Sequence, residues 1–138
     1  MSLTELHTVW APRLLSVLRI VAALIFLEHG TQKLLGFPPS PNPAPAVLSL
    51  SWFAGAIELV GGPLLALGLF TRPVALILSG EMAFAYWIGH APQSFYPILN
   101  RGDAAILYCF VFLYLAAAGG GPWSLDAMMG GRRRREWG

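Results

Sequence analysis

The chain has 138 residues, 56% of them hydrophobic and 12% charged, with a formal charge of +2. Its charged share is half the ~25% of a water-soluble domain, which argues for a bilayer as solvent, and its length fits one domain. The positive charge comes largely from Arg132, Arg133, Arg134 and Arg135 near the C-terminus, so there is no broad basic face for nucleic acid and none is expected as a partner.

The N-terminal stretch MSLTELHTVWAPRLL lacks a basic start, a short apolar run and a small-residue cleavage site, so the first apolar segment reads as a retained helix. That helix is placed at about residues 13–35, long enough for a bilayer crossing of ~20 residues. The segment FPPSPNPAP follows, where Pro38, Pro39, Pro41, Pro43 and Pro45 forbid helix. A second apolar helix is predicted at about 50–70, and a turn at Thr71-Arg72 leads into a third at about 73–90, with Pro73 suited to a helix start. The loop APQSFYPILNRG precedes a fourth at about 103–118, which Gly119, Gly120, Gly121 and Pro122 stop. The tail WSLDAMMGGRRRREWG reads as a short interfacial stretch that then frays.

The predicted fold is therefore all-α: an integral-membrane bundle of four transmembrane helices over residues 1–127, with a basic tail over 128–138. Arg13, Arg72 and Arg132 to Arg135 fall on one side of an alternating four-helix path, and Lys33 and Arg101 on the other. The basic side is cytoplasmic by the positive-inside rule, which puts both termini inside. Trp10, Trp52, Trp87 and Trp123 fall near the helix ends, as an interfacial aromatic belt would. Cys109 is the only cysteine, which rules out an internal disulfide and reads as a packing residue.

Each of the first three helices carries one glutamate inside its apolar run, Glu28, Glu58 and Glu81. A carboxylate at bilayer depth is costly, about 2.5 kcal/mol or more, so these groups are expected to face the bundle interior. At 1.5 Å of rise per residue, Glu28 lies roughly 21 Å and Glu58 roughly 18 Å above the cytoplasmic helix ends. Glu81 comes at roughly 12 Å and Arg19 at roughly 8 Å, which suggests a structural ion pair. Glu28, His29 and Gln32 share a helical face. With Glu58 and Lys33 they form the candidate ligand site, an outward-facing pocket. His90, Asn100, Arg101 and Asp103 are expected at its outer mouth.

The stretches HGTQKLLGF (29–37), AGAIELVGGPLLALGLFTRP (54–73), SGEMAFAYWIGHAP (79–92) and NRGDAAILYCFVFLYLAAAGGGPWSLDA (100–127) together resemble the DoxX family, over about residues 13–127. The resemblance implies a small four-helix protein of the bacterial cytoplasmic membrane. Some relatives are linked to quinone-dependent oxidation of sulfur compounds, and others to membrane-associated oxidoreductase assemblies that counter oxidative stress.

The leading expectation is an accessory subunit in quinone-linked redox chemistry. It would carry no intrinsic cofactor, bind a quinone or quinol in the polar pocket, and rely on an oxidoreductase partner for electron transfer. Other readings are a non-catalytic small-molecule or ion binding or transport protein, acting alone or as a homo-oligomer, and a scaffold that anchors oxidoreductases by its basic tail. A third is a set of polar groups that only hold helices together. No Glu-x-x-His pair of the di-iron type occurs, and no metal site is expected.

Overall fold

Proline and glycine set the breaks between helices. In the computed structural model, which describes the backbone of residues 2–136 and the side chains through residue 130, a short N-terminal helix α1 (Leu3–Glu5) runs through a π-helical turn (Leu6–Trp10) into α2 (Ala11–Leu35). Gly36, at φ 68°, closes α2; this left-handed geometry suits glycine. The proline-rich segment carries no helix and ends at Ser49, whose hydroxyl accepts from Trp52 N and caps α3 (Leu50–Leu67). Gly68, at φ 70°, ends α3, earlier than the apolar run itself, and α4 (Thr71–Ala85) starts almost at once.

Beyond α4 the chain makes a π-helical turn (Tyr86–His90), then α5 (Pro97–Asn100), a helical turn inside what the sequence presents as loop. The last two helices are α6 (Asp103–Ala118) and α7 (Leu125–Glu136). The tail is thus helical through its arginines rather than frayed. Residues 137 and 138 and the side chains of Arg132 to Arg135 lie outside what is described.

The described residues are helical, with no strand. α2 packs chiefly on α3 and α4 chiefly on α6, while α3 and α4 join the two pairs. Phe26, Leu65, Leu78, Phe112 and Leu115 fill the shared core, with Ala22, Ala23 and Ala75 letting the helices approach. The α2–α3 contact is closest at Gly30, where an added Cβ would lie 2.6 Å from Leu59 N and 3.0 Å from Glu58 Cβ. Backbone cannot yield there as a side-chain tip can. Gly30→Ala is therefore expected to destabilise the fold by about 1–3 kcal/mol, read as a lower unfolding midpoint in detergent.

The surface is apolar where a water-soluble protein would be polar. Val21, Ile25, Val60, Ile77, Phe84, Leu107 and Phe110, spread over four helices, are all exposed, more large apolar side chains than a monomer in water commonly shows. Two helices are long and apolar enough to cross a membrane: Leu3–Leu35, 33 residues whose most apolar 18-residue stretch has a mean hydropathy of 1.8, and Leu50–Leu67, 18 residues at 1.5. Asp103–Ala118 is apolar but shorter, because the glycine run stops it. α4 has 15 residues before its π turn.

Candidate functional site

The α2–α3 contact that Gly30 permits also brings Lys33 beside Glu58. Lys33 Nζ lies 2.6 Å from Glu58 Oε1, the one ion pair among the described residues. Glu58 is 1% exposed. A charge buried that deeply needs a partner, and Lys33 supplies it while its own side chain stays 30% exposed. The site therefore reaches from the core outward.

Beside this pair, between α3 and α4, lies a cleft of about 680 Å³. Phe53, Ile57, Ile77, Phe84 and Ile88 make its apolar walls, and Lys33, Glu81 and His90 are its ionisable groups. Both Glu81 carboxyl oxygens are sealed from solvent and have no hydrogen-bond partner, as is Glu58 Oε2. Glu81 lies within electrostatic reach of Glu58 and Lys33. At the far end, His90 Nδ1 is 2.9 Å from Asn100 O. Asn100 is itself buried, donating to Ser94 O and accepting from Gly102 N at 2.8 Å each. The mouth is thus a fixed loop, not a loose one.

A second, more polar cleft of about 570 Å³ lies under the proline-rich segment, lined by Gln32, Lys33, Ser40, Asn42, Ser49 and Ser51 among others. Lys33 and Ser51 line both clefts.

Several sequence-derived placements need correction. Arg19 does not pair with Glu81. It is fully buried and donates to the carbonyl oxygens of Gly120 (2.8 Å), Leu65 (2.6 Å), Trp123 (2.6 Å) and Ala66. The ends of α3 and α6 offer unsatisfied carbonyls at that level, and a guanidinium can reach several at once. Glu28 and His29 do not line the pocket opposite Glu58; both are exposed. The His29 ring stands edge-on to Tyr108, centroids 6.3 Å apart, on the α6 side of α2. At 100° per residue Glu28 stands about 140° round α2 from Lys33, which turns towards α3, whereas His29 lies only about 40° from Lys33, at the edge of that face. Gln32 stays nearby but binds Pro38 O at 3.3 Å in the second cleft. Of the four mouth residues, His90 and Asn100 come together, whereas Arg101 and Asp103 are exposed. Arg101 holds a left-handed φ of 58°, and Asp103 opens α6, where a negative charge suits the helix dipole.

One functional-looking group escaped the sequence reading. Asp126, at the start of α7, accepts from Phe70 N and Thr71 N at 2.8 Å each and so caps α4 from 55 residues away. The visible signal was a lone acid just past the glycine stop, level with the Phe70-Thr71 turn. Burial pushes its carboxyl up, but hydrogen bonds from Thr71 and Phe70 and the charge of Arg19 outweigh that and hold it below the usual carboxylate range. A depressed folded-state value means the stabilisation is present above the unfolded carboxylate range of about 4 and is lost as pH falls through the folded value. Asp126→Ala is expected to cost about 0.5–2 kcal/mol at neutral pH. The gap from the parent protein should close below about pH 4, as followed by unfolding midpoint against pH.

A family model described as DoxX matches residues 14–91. An uncharacterized protein of Haemophilus influenzae is 45% identical over 122 residues, covering 85% of this chain and 91% of that one. An uncharacterized membrane protein of Mycobacterium tuberculosis is 27% identical, over 92% of this chain and 87% of its own length. The inner membrane protein YphA of Escherichia coli is 30% identical, over 83% of this chain and 89% of its own. No solved structure matches the chain.

Proposed function

The chain belongs to the DoxX family of membrane proteins, and on that premise we propose that it is an inner-membrane accessory subunit for quinone-linked redox chemistry, holding a quinone or quinol head group in the cleft between α3 and α4. In this reading all four long helices cross the membrane, α4 together with its π turn, and both termini are cytoplasmic. Electrons would pass to an oxidoreductase partner.

The observation that supports the reading is Glu81: two carboxyl oxygens, sealed and without partners, against a cleft walled by phenylalanine and isoleucine. A quinol hydroxyl is a donor that Glu81 can accept from. Lys33 can donate to a quinone carbonyl, while His90, whose Nδ1–H serves Asn100 O, can accept from a quinol hydroxyl at its free ring nitrogen. The apolar walls suit the ring and its isoprenoid chain, and the rim residues Ile77 and Phe84 are exposed, so a lipid-soluble ligand can enter sideways from the bilayer. The contrast of apolar walls with a few placed polar groups is typical of small-molecule sites.

The second cleft supports another reading, a non-catalytic binding or transport protein for a polar small molecule, because its lining is richer in serine, asparagine and proline than in aromatic residues.

Titrating a short-chain quinol analogue into the protein in lipid nanodiscs separates the two. Glu81→Gln is expected to weaken binding about tenfold or more, the loss of a hydrogen bond to a charged group, while Glu28→Gln leaves it unchanged. Equal affinity in parent and E81Q proteins, or no binding to either, rejects the quinol reading.

A further inference from the structure

The charges against the cleft do not balance. α3 and α4 each bring a carboxyl, Glu58 and Glu81, and α2 brings one ammonium, Lys33, already 2.6 Å from Glu58 Oε1. Glu58 Oε2 and both oxygens of Glu81 are buried without a donor, and Glu58 is 1% exposed. The other titratable groups nearby are His29 on α2, which acts on Glu58 electrostatically, and His90, whose Nδ1 is engaged by Asn100 O. Neither is within ion-pairing distance of a carboxylate. Two carboxyls served by one lysine leave three acceptor atoms unmet and one negative charge uncompensated. Such a cluster is unfavourable in low dielectric unless something positive joins it.

We propose that Glu58 and Glu81 bind one small positive charge, a proton or an alkali ion, delivered from water through the polar cleft beneath the proline-rich segment. The net charge of the trio fits a monovalent species. A transition metal is disfavoured, since no group of three or more His, Cys, Asp or Glu with metal-binding geometry occurs among the described residues. The delivery route follows from Lys33 and Ser51, which line both clefts and so place the water-side space next to the carboxyls. Lys33 stands where the two spaces meet, with its ammonium on the Glu58 carboxyl. The site lies beside the proposed quinol cleft but does not depend on a quinol: its charge imbalance exists with or without a ligand above it.

The test is made with the full chain in nanodiscs and no quinone present. Unfolding midpoints are measured in sodium or potassium chloride against choline chloride at equal ionic strength, and separately across pH, for the parent protein and E81Q. A parent midpoint that rises with sodium or potassium, and an E81Q midpoint that does not, assigns an alkali ion. A difference between the two proteins that varies with pH alone assigns the proton. Parent and E81Q proteins responding identically to both variables overturn the site. Should E81Q not accumulate, infrared difference spectra of the parent protein between sodium and choline, and between acid and neutral buffer, give the same information; carboxyl bands that respond to neither overturn it. A bulky side chain at Ser51 (S51W) is expected to slow the response to a stopped-flow jump in pH or sodium severalfold, and an unchanged rate rejects the water-side route.

Discussion

Arg19→Met is expected to destabilise the protein more than any other single change around the loop between α6 and α7, by about 3–5 kcal/mol, the range for breaking a buried charged network. The guanidinium is fully buried and ties three pieces of chain together: its own helix α2, the last turn of α3 through Leu65 and Ala66, and the loop between α6 and α7 through Gly120 and Trp123. Methionine keeps much of the volume but strands these carbonyls. Each buried carbonyl left without a donor costs about 1–3 kcal/mol. The cationic end of Arg19 also meets the negative end of the α3 dipole, which the thioether cannot replace. Nearby, Trp123 N donates to Ser16 Oγ and Asp126 N to Gly68 O, so loosening Arg19 frees the loop that carries the Asp126 cap. Arg19→Lys should recover only a minor part, since one ammonium cannot span acceptors arranged for a planar fork. Unfolding midpoints in a single detergent, with size-exclusion profiles as the check on folding, measure this. A midpoint for R19M close to that of the parent would show that the carbonyls find other partners.

The positions of the long helices were legible because their ends carry strong local chemistry. Five prolines between residues 38 and 45 leave no helix there, and Gly36, Gly68 and Gly119 take positive φ where helices end. Such constraints act within a few residues and survive whatever the tertiary structure does. The site was less legible because it depends on rotation about each helix axis. Glu28 and Lys33 are five residues apart and sit on different sides of α2, and which side faces α3 is decided by Gly30 meeting Leu59 backbone, a contact with no local signature. Depth along the axis was the better guide for one pair, since Glu58 meets Lys33 from the same end of α2. Depth failed for Arg19 and Glu81, which it placed near one another. The α3 and α6 ends offered carbonyls that no count of ionisable groups would reveal. Asp126 was missed for the same reason: backbone N–H groups at a helix start attract a carboxylate, and they carry no letter in the sequence.

Lys33→Met should be the most damaging change at the cleft. It leaves Glu58, 1% exposed, without its ion-pair partner, and an unpaired buried charge costs about 3–5 kcal/mol. The reverse change, Glu58→Gln, should be milder, about 1–2 kcal/mol, because Lys33 keeps 30% of its side chain accessible and can turn its ammonium into the polar cleft. That asymmetry follows from where the two ends of the pair sit, one inside the α2–α3 contact and one at its rim. The double variant K33M/E58L should recover most of the loss, since a buried ion pair replaced by apolar groups of similar volume is close to neutral in stability. The double-mutant cycle gives the coupling directly. If the single costs simply add, Lys33 and Glu58 are not partners in the membrane and the cleft has no fixed charge at its inner edge. A large coupling with stability restored in K33M/E58L would instead mean that the pair is kept for what it does to a ligand or an ion beside Glu81, because the fold itself would hold equally well without it.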